Sequence, residues 1–195
     1  MRLNHIFLLM AVLVLHSCSP VTPTLQTQDS EAGHPLTTTT GVLEVDRVLA
    51  AVASNDPREL QALVRYTAAP CTRADGLGGP PRCQEGETEG TMLEVLPFIA
   101  SEGGHIRRSE IGNWQGIDAN AVYAVYRVSG YALNEQYYPP GEYLVIFMPD
   151  EYGGYAALRV AEGGIVRVDT LMGVDTLQTV IDRDTAEAIL PPETR

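Results

Sequence analysis

Histidine, cysteine and carboxylate are the side chains most able to do chemistry, and this chain spaces them sparingly. Of four histidines, His5 and His16 flank an apolar N-terminal run and His34 lies in a Thr/Pro-rich stretch, which leaves His105 for a folded site. A base or nucleophile-activating histidine needs a hydroxyl or thiol on one nitrogen and a carboxylate on the other. Ser101 and Ser109 are the nearby hydroxyls, with no nucleophile-elbow pattern beside them. Glu85, Glu87 and Glu89 alternate, so an extended segment would place three carboxylates on one face, a calcium-like arrangement that equally describes a solvated acidic edge. Gly76, Gly78 and Gly79 suggest a phosphate loop until Pro80 and Pro81 follow, where such a loop requires a helix. All 13 basic residues are arginines, so Schiff-base chemistry and lysine P-loops are excluded. No metal site and no cofactor is expected from these residues. Trp114, Tyr137 and Tyr138, with His105, are the candidate binding residues, because rings with polar tips suit pocket mouths. The wider set of Tyr123, Tyr126, Tyr131, Tyr143, Tyr152 and Tyr155 equally suits half-buried strands.

The segments that must position these residues begin outside the folded part. Residues 6–15 (IFLLMAVLVL) form an apolar run too short to span a bilayer, preceded by a head carrying Arg2. Leu15-His16-Ser17-Cys18 follows and resembles the lipobox of bacterial lipoproteins, with His16 departing from the usual small residue. The resemblance implies cleavage before Cys18, a diacylglyceryl thioether on its sulfur, and a chain held to a cell membrane or outer membrane by lipid with its domain outside the cytoplasm. Residues 1–17 are then a signal peptide, and residues 18–40, rich in Thr, Pro and Ser, are expected to be a disordered tether. Removing Arg2 leaves 12 basic against 25 acidic residues, or −13, a surface that repels nucleic acid. With Cys18 lipidated, Cys71 and Cys83 have one intrachain partner each, and export favours their disulfide; two buried free thiols are the competing reading.

Residues 41–195 are expected to form one α+β domain. Val45, Val48, Leu49 and Val52 recur at helical spacing. Asp56-Pro57-Arg58-Glu59 starts a second helix with a capping aspartate, and Leu60, Leu63 and Val64 form its apolar face. Residues 70–90 form a Gly/Pro-rich loop, residues 91–99 a strand interrupted by Pro97, and residues 105–111 are ambiguous. Four runs (121–129, 142–148, 155–161 and 165–170) with short turns between them predict an antiparallel meander, and a helix is expected around residues 185–190. Short N-terminal helices on one face of a C-terminal meander resemble the layout of nuclear transport factor 2-like proteins, which implies a cone-shaped curved sheet around a pocket. Three functions fit: a module binding a small molecule or protein, an enzyme using His105 or a pocket carboxylate, and a structural envelope component.

Overall fold

The structure is a computed structural model and describes residues 33–193, apart from 75, 77, 101–102, 131–135 and 149–153. In chain order the elements are β1 (His34–Pro35), α1 (Leu43–Ala53), α2 (Pro57–Ala62), β2 (Thr67–Pro70), β3 (Met92–Ile99) and β4 (Gly104–Arg107). There follow β5 (Ala121–Val128), β6 (Tyr143–Phe147), β7 (Gly154–Ala161), β8 (Gly164–Met172), α3 (Gly173–Asp184) and β9 (Thr185–Leu190). Among the described residues the strands form one mixed sheet in the order β1-β5-β6-β7-β8-β3-β2, with β4 paired to β3 and β9 to β5. The expected meander is β5 to β8, each antiparallel to the next. A turn of Glu162 and Gly163, both at positive φ, joins β7 to β8, the geometry that matches the twist of a two-residue hairpin.

The helices cover both faces of the sheet, not one. Val45, Val48, Leu49 and Val52 of α1 and Leu60 of α2 pack on Val122, Val125, Val145, Phe147, Leu158, Val160 and Ile165. On the opposite face Leu177 and Val180 of α3 pack on Ala124, Leu144, Ile146, Tyr155, Ala157 and Leu171. Strand β6 requires this arrangement. All five of its residues, Tyr-Leu-Val-Ile-Phe, are buried, and successive side chains point to opposite faces, so one layer of helices would leave Leu144 and Ile146 in water. Each such side chain contributes about 1.5–3 kcal/mol relative to exposure. The second helix starts as its sequence predicts: the Asp56 carboxylate accepts from the Arg58 amide at 3.0 Å and Pro57 occupies the first turn.

Three further expectations are corrected. Residues 185–190 form strand β9, not a helix, antiparallel to β5. Among the described residues strand β1 pairs with Val122 and Ala121 of β5, and β9 takes up main-chain groups farther along β5 that would otherwise lack a partner. Strand β3 runs through Pro97 without interruption and lies parallel to β8, which adds a crossover to the meander. The Thr/Pro-rich stretch enters the fold before residue 41. His34 pairs in the sheet, its Nε2 lies 2.7 Å from the Pro191 carbonyl oxygen, and its Nδ1 lies 3.4 Å from Glu193. At Gly164 the Leu63 carbonyl approaches so closely, accepting from the Ile165 amide at 2.8 Å, that a Cβ would sit 2.2 Å from that oxygen.

Candidate functional site

The loop between β2 and β3 is fastened at both ends. Cys71, buried at the end of β2, is disulfide-bonded to Cys83 with Cα atoms 4.9 Å apart, as the sequence predicts. Closing a loop of this size stabilises the fold by about 3 kcal/mol on a chain-entropy basis. Within the loop Thr72 donates its amide to Pro81 and accepts from the Cys83 amide, each at 2.9 Å. Beyond Cys83, Glu87 takes both Nη atoms of Arg107, the second at 2.9 Å, and Arg107 Nη2 also donates to the Arg82 carbonyl at 2.7 Å. The Arg107 hydrogen bond, with a second from the Gln84 amide, lowers the Glu87 carboxyl to about 2. The three alternating glutamates therefore do not converge. Glu87 turns to Arg107, Glu89 accepts from Thr72 Oγ1 at 3.0 Å, and Glu85 is exposed.

Between this loop and β4 lies a cleft of about 880 Å³, walled by Gly76, Gly78 to Cys83, Gly103 to His105, Arg107 and Tyr138. His105 and Tyr138 meet with ring centroids 5.1 Å apart, and the Tyr138 hydroxyl donates to the Gly79 carbonyl at 3.3 Å. His105 bonds to the Tyr137 main chain, which supports its charged form, but burial outweighs that bond and lowers its pKa. Its Nε2 is buried and has no hydrogen-bond partner among the described residues. With the other nitrogen donating to a carbonyl, the neutral ring presents Nε2 as an acceptor. No carboxylate bonds to this histidine among the described residues.

Tyr138 is held from below by a charged cluster that the sequence reading missed. Among the described residues, Arg159 (0% exposed), Arg167 (5%), Asp169 (2%) and Asp184 (1%) are the buried charged ones, from β7, β8 and the end of α3. Arg159 donates to Asp169 at 2.9 Å and to Asp184, while Arg167 grips Asp169 through Nε at 2.7 Å and Nη2 at 2.8 Å. The remaining donors reach three successive carbonyls: Arg167 Nη1 to Tyr138 and Pro139, each at 3.2 Å, and Arg159 Nη1 to Pro140 at 3.3 Å. Burial disfavours the Asp184 charge, yet hydrogen bonds from Arg183 and Arg159 outweigh it and hold its carboxyl below the usual range. Gly141, at φ +75°, lets the chain pass Arg159, where a Cβ would lie 3.0 Å from the arginine Cβ. A signal was present in the sequence: Leu-Arg-Val and Val-Arg-Val-Asp interrupt otherwise apolar strands with charges facing each other across a hairpin.

The candidate binding residues divide. His105 and Tyr138 meet in the cleft and Tyr137 contributes main chain to it, whereas Trp114 packs into the α1–α2 core and its carbonyl accepts from Gln61 Nε2 at 2.8 Å. Ser109 is exposed on the 3-10 turn after β4; Cys18, Ser101, Tyr131 and Tyr152 lie outside the described residues. Tyr126, Tyr143 and Tyr155 are buried in strands, and Tyr123 packs edge-on against Tyr155. Among the described residues one set of three potential metal ligands lies close together, Cys71, Cys83 and Glu87, but the two sulfurs are bonded to each other and Glu87 to Arg107. No protein-family model, curated protein or solved structure matches the chain.

Proposed function

We propose that the chain is an extracytoplasmic lipoprotein, anchored to a membrane through lipid on Cys18, whose domain is a binding module with the β4 cleft as its ligand site. The observation that carries the binding reading is the buried, unpartnered His105 Nε2 beside Tyr138 in the cleft wall. A buried acceptor left unpaired costs about 1–3 kcal/mol, which a ligand donating an N–H or O–H recovers once Tyr138 yields to it. Binding is favoured over proton transfer because the ring is tied to the Tyr137 main chain and not to a carboxylate. The pocket implied by the nuclear transport factor 2-like layout is thus read at the β4 edge. The lipid anchor is supported by the order of apolar run, Ser17 and Cys18, and a disulfide accords with an oxidising compartment. Among the described residues no helix is long and apolar enough to cross a membrane.

The test of the cleft is a screen of small fragments bearing amide and hydroxyl donors, followed through the His105 ring and Tyr138 NMR signals. Fragments that move both signals, and lose affinity about tenfold or more in His105→Phe, support the reading. Fragments that bind only elsewhere, or that bind His105→Phe equally well, overturn it.

A further inference from the structure

The direction of the main-chain groups on β4 follows from the neighbouring ladder. The Cys71 amide donates to the Thr91 carbonyl at 2.8 Å. From there the β2–β3 register runs in steps of two through Ala69 opposite Leu93 to Thr67 opposite Val95, so the N–H and C=O of Val95 point toward β2. Val95 also lies opposite Arg107 of β4. With its groups committed to β2, that pair exchanges no hydrogen bonds, and the bonded pairs are Leu96 with Ile106 and Phe98 with Gly104. The N–H and C=O groups of His105 and Arg107 therefore face outward, away from β3. Pro97 opposite His105 fits this phase, since it has no N–H to offer β4. Among the described residues, no other main-chain group pairs with the His105 N–H, the His105 C=O or the Arg107 N–H, whereas the Arg107 C=O, at the N-cap of the 3-10 helix 108–113, accepts the first bond of that helix.

An open strand edge is a template for another strand, and proteins commonly blunt such edges. Here β1 contains Pro35, β2 ends in Pro70 and β9 carries two register breaks. Strand β4 has none of these devices, pairs with β3 without a break, is half-buried along its length, and borders the cleft through Gly104, His105 and Arg107. The opposite wall, Gly78 to Pro81, contains two glycines, which leave room for an extended chain.

We propose that the cleft takes an extended polypeptide segment, which adds as a strand to the outer edge of β4 and hydrogen-bonds to the main chain of His105 and Arg107. This rests on the reading of the cleft as the ligand site and names its ligand class. Main-chain hydrogen bonds supply affinity, and every second side chain of the segment meets His105 and Tyr138 and sets the sequence preference. The described ends of this chain lie beside β5, at the opposite rim of the sheet, and the proposed occupant is accordingly a segment of another protein.

The probe is a displayed library of short random peptides, selected on the intact oxidised domain, with the selected peptides remade carrying single backbone N-methyl groups. The expected result is an alternating pattern: N-methylation at every second residue weakens binding about tenfold or more, the intervening positions tolerate it, and the His105 and Arg107 amides become protected from hydrogen exchange. Selected peptides that are indifferent to N-methylation, or that leave those two amides unprotected, overturn the proposal. A library that yields no binder while donor fragments still move the His105 and Tyr138 signals overturns strand addition and leaves the cleft as a small-molecule site. Failure of peptides and fragments alike removes both readings.

Discussion

His105 joins stability to pH through one atom. Its pKa lies below the ordinary histidine value of about 6.5 because burial penalises the imidazolium more than the Tyr137 main chain supports it. Below about pH 6.5 the unfolded chain therefore binds a proton that the folded chain refuses. The contribution to stability is full above that pH and is lost as pH falls through the folded value. Urea unfolding at a series of pH values should show the midpoint falling as the pH drops below about 6.5, with a shallower fall in His105→Gln. Equal slopes in the two proteins would show that burial of this ring is not the cause. The sequence singled out His105 because histidine is scarce and Tyr138 because rings with polar tips suit pocket mouths, and the structure brings the two rings together. Trp114 misled for a physical reason: an indole beside glycines reads the same whether it faces a pocket or, as here, the core behind α2.

At the scale of elements, the four buried charges explain how a segment with two prolines is held in one position. Residues 138–140 direct three carbonyls at two guanidiniums, and those guanidiniums are fixed by Asp169 and Asp184. Arg159→Met should cost about 3–5 kcal/mol, because it leaves two carboxylates buried short of a partner, whereas Arg159→Met combined with Asp184→Leu should recover part of that loss. Chemical denaturation of both variants checks this, and a double variant no better than the single would show that the charges do not act as a pair. In the same variants Tyr138 should lose its contact with His105, seen as altered ring chemical shifts. The elements themselves divide by how local their causes are. Strands β5 to β8 and helices α1 and α2 were legible from apolar period and capping residues, which are local. The strand at 185–190 and the continuity of β3 through Pro97 were not, because each depends on a partner far away in sequence. The unbroken apolar run of β6 did signal a sheet covered on both faces, and α3 supplies the second layer.

For the molecule as a whole, the proposed anchor gives the most direct test of location. Cys18→Ala should leave the chain unprocessed, and mass spectrometry of mature wild-type protein from its native host should find residue 18 at the amino terminus bearing a diacylglyceryl group. An unmodified Cys18 in the mature protein would remove the lipoprotein reading and leave the fold and the cleft unaffected. The disulfide was legible from the cysteine count together with the proposed export, whereas the cleft it frames was not, since its far wall comes from β4 and Tyr138. The His34 contact with Pro191 and Glu193 has a practical consequence. The first and last described strands lie together at one rim of the sheet, beside β5, while β4 forms the opposite rim. Six strand spacings of about 4.8 Å separate the two rims by roughly 29 Å along a flat sheet. A domain captured on a sensor surface by a tag at either end would therefore turn its cleft toward the solution, and swapping the tag from one end to the other should leave the measured affinity unchanged.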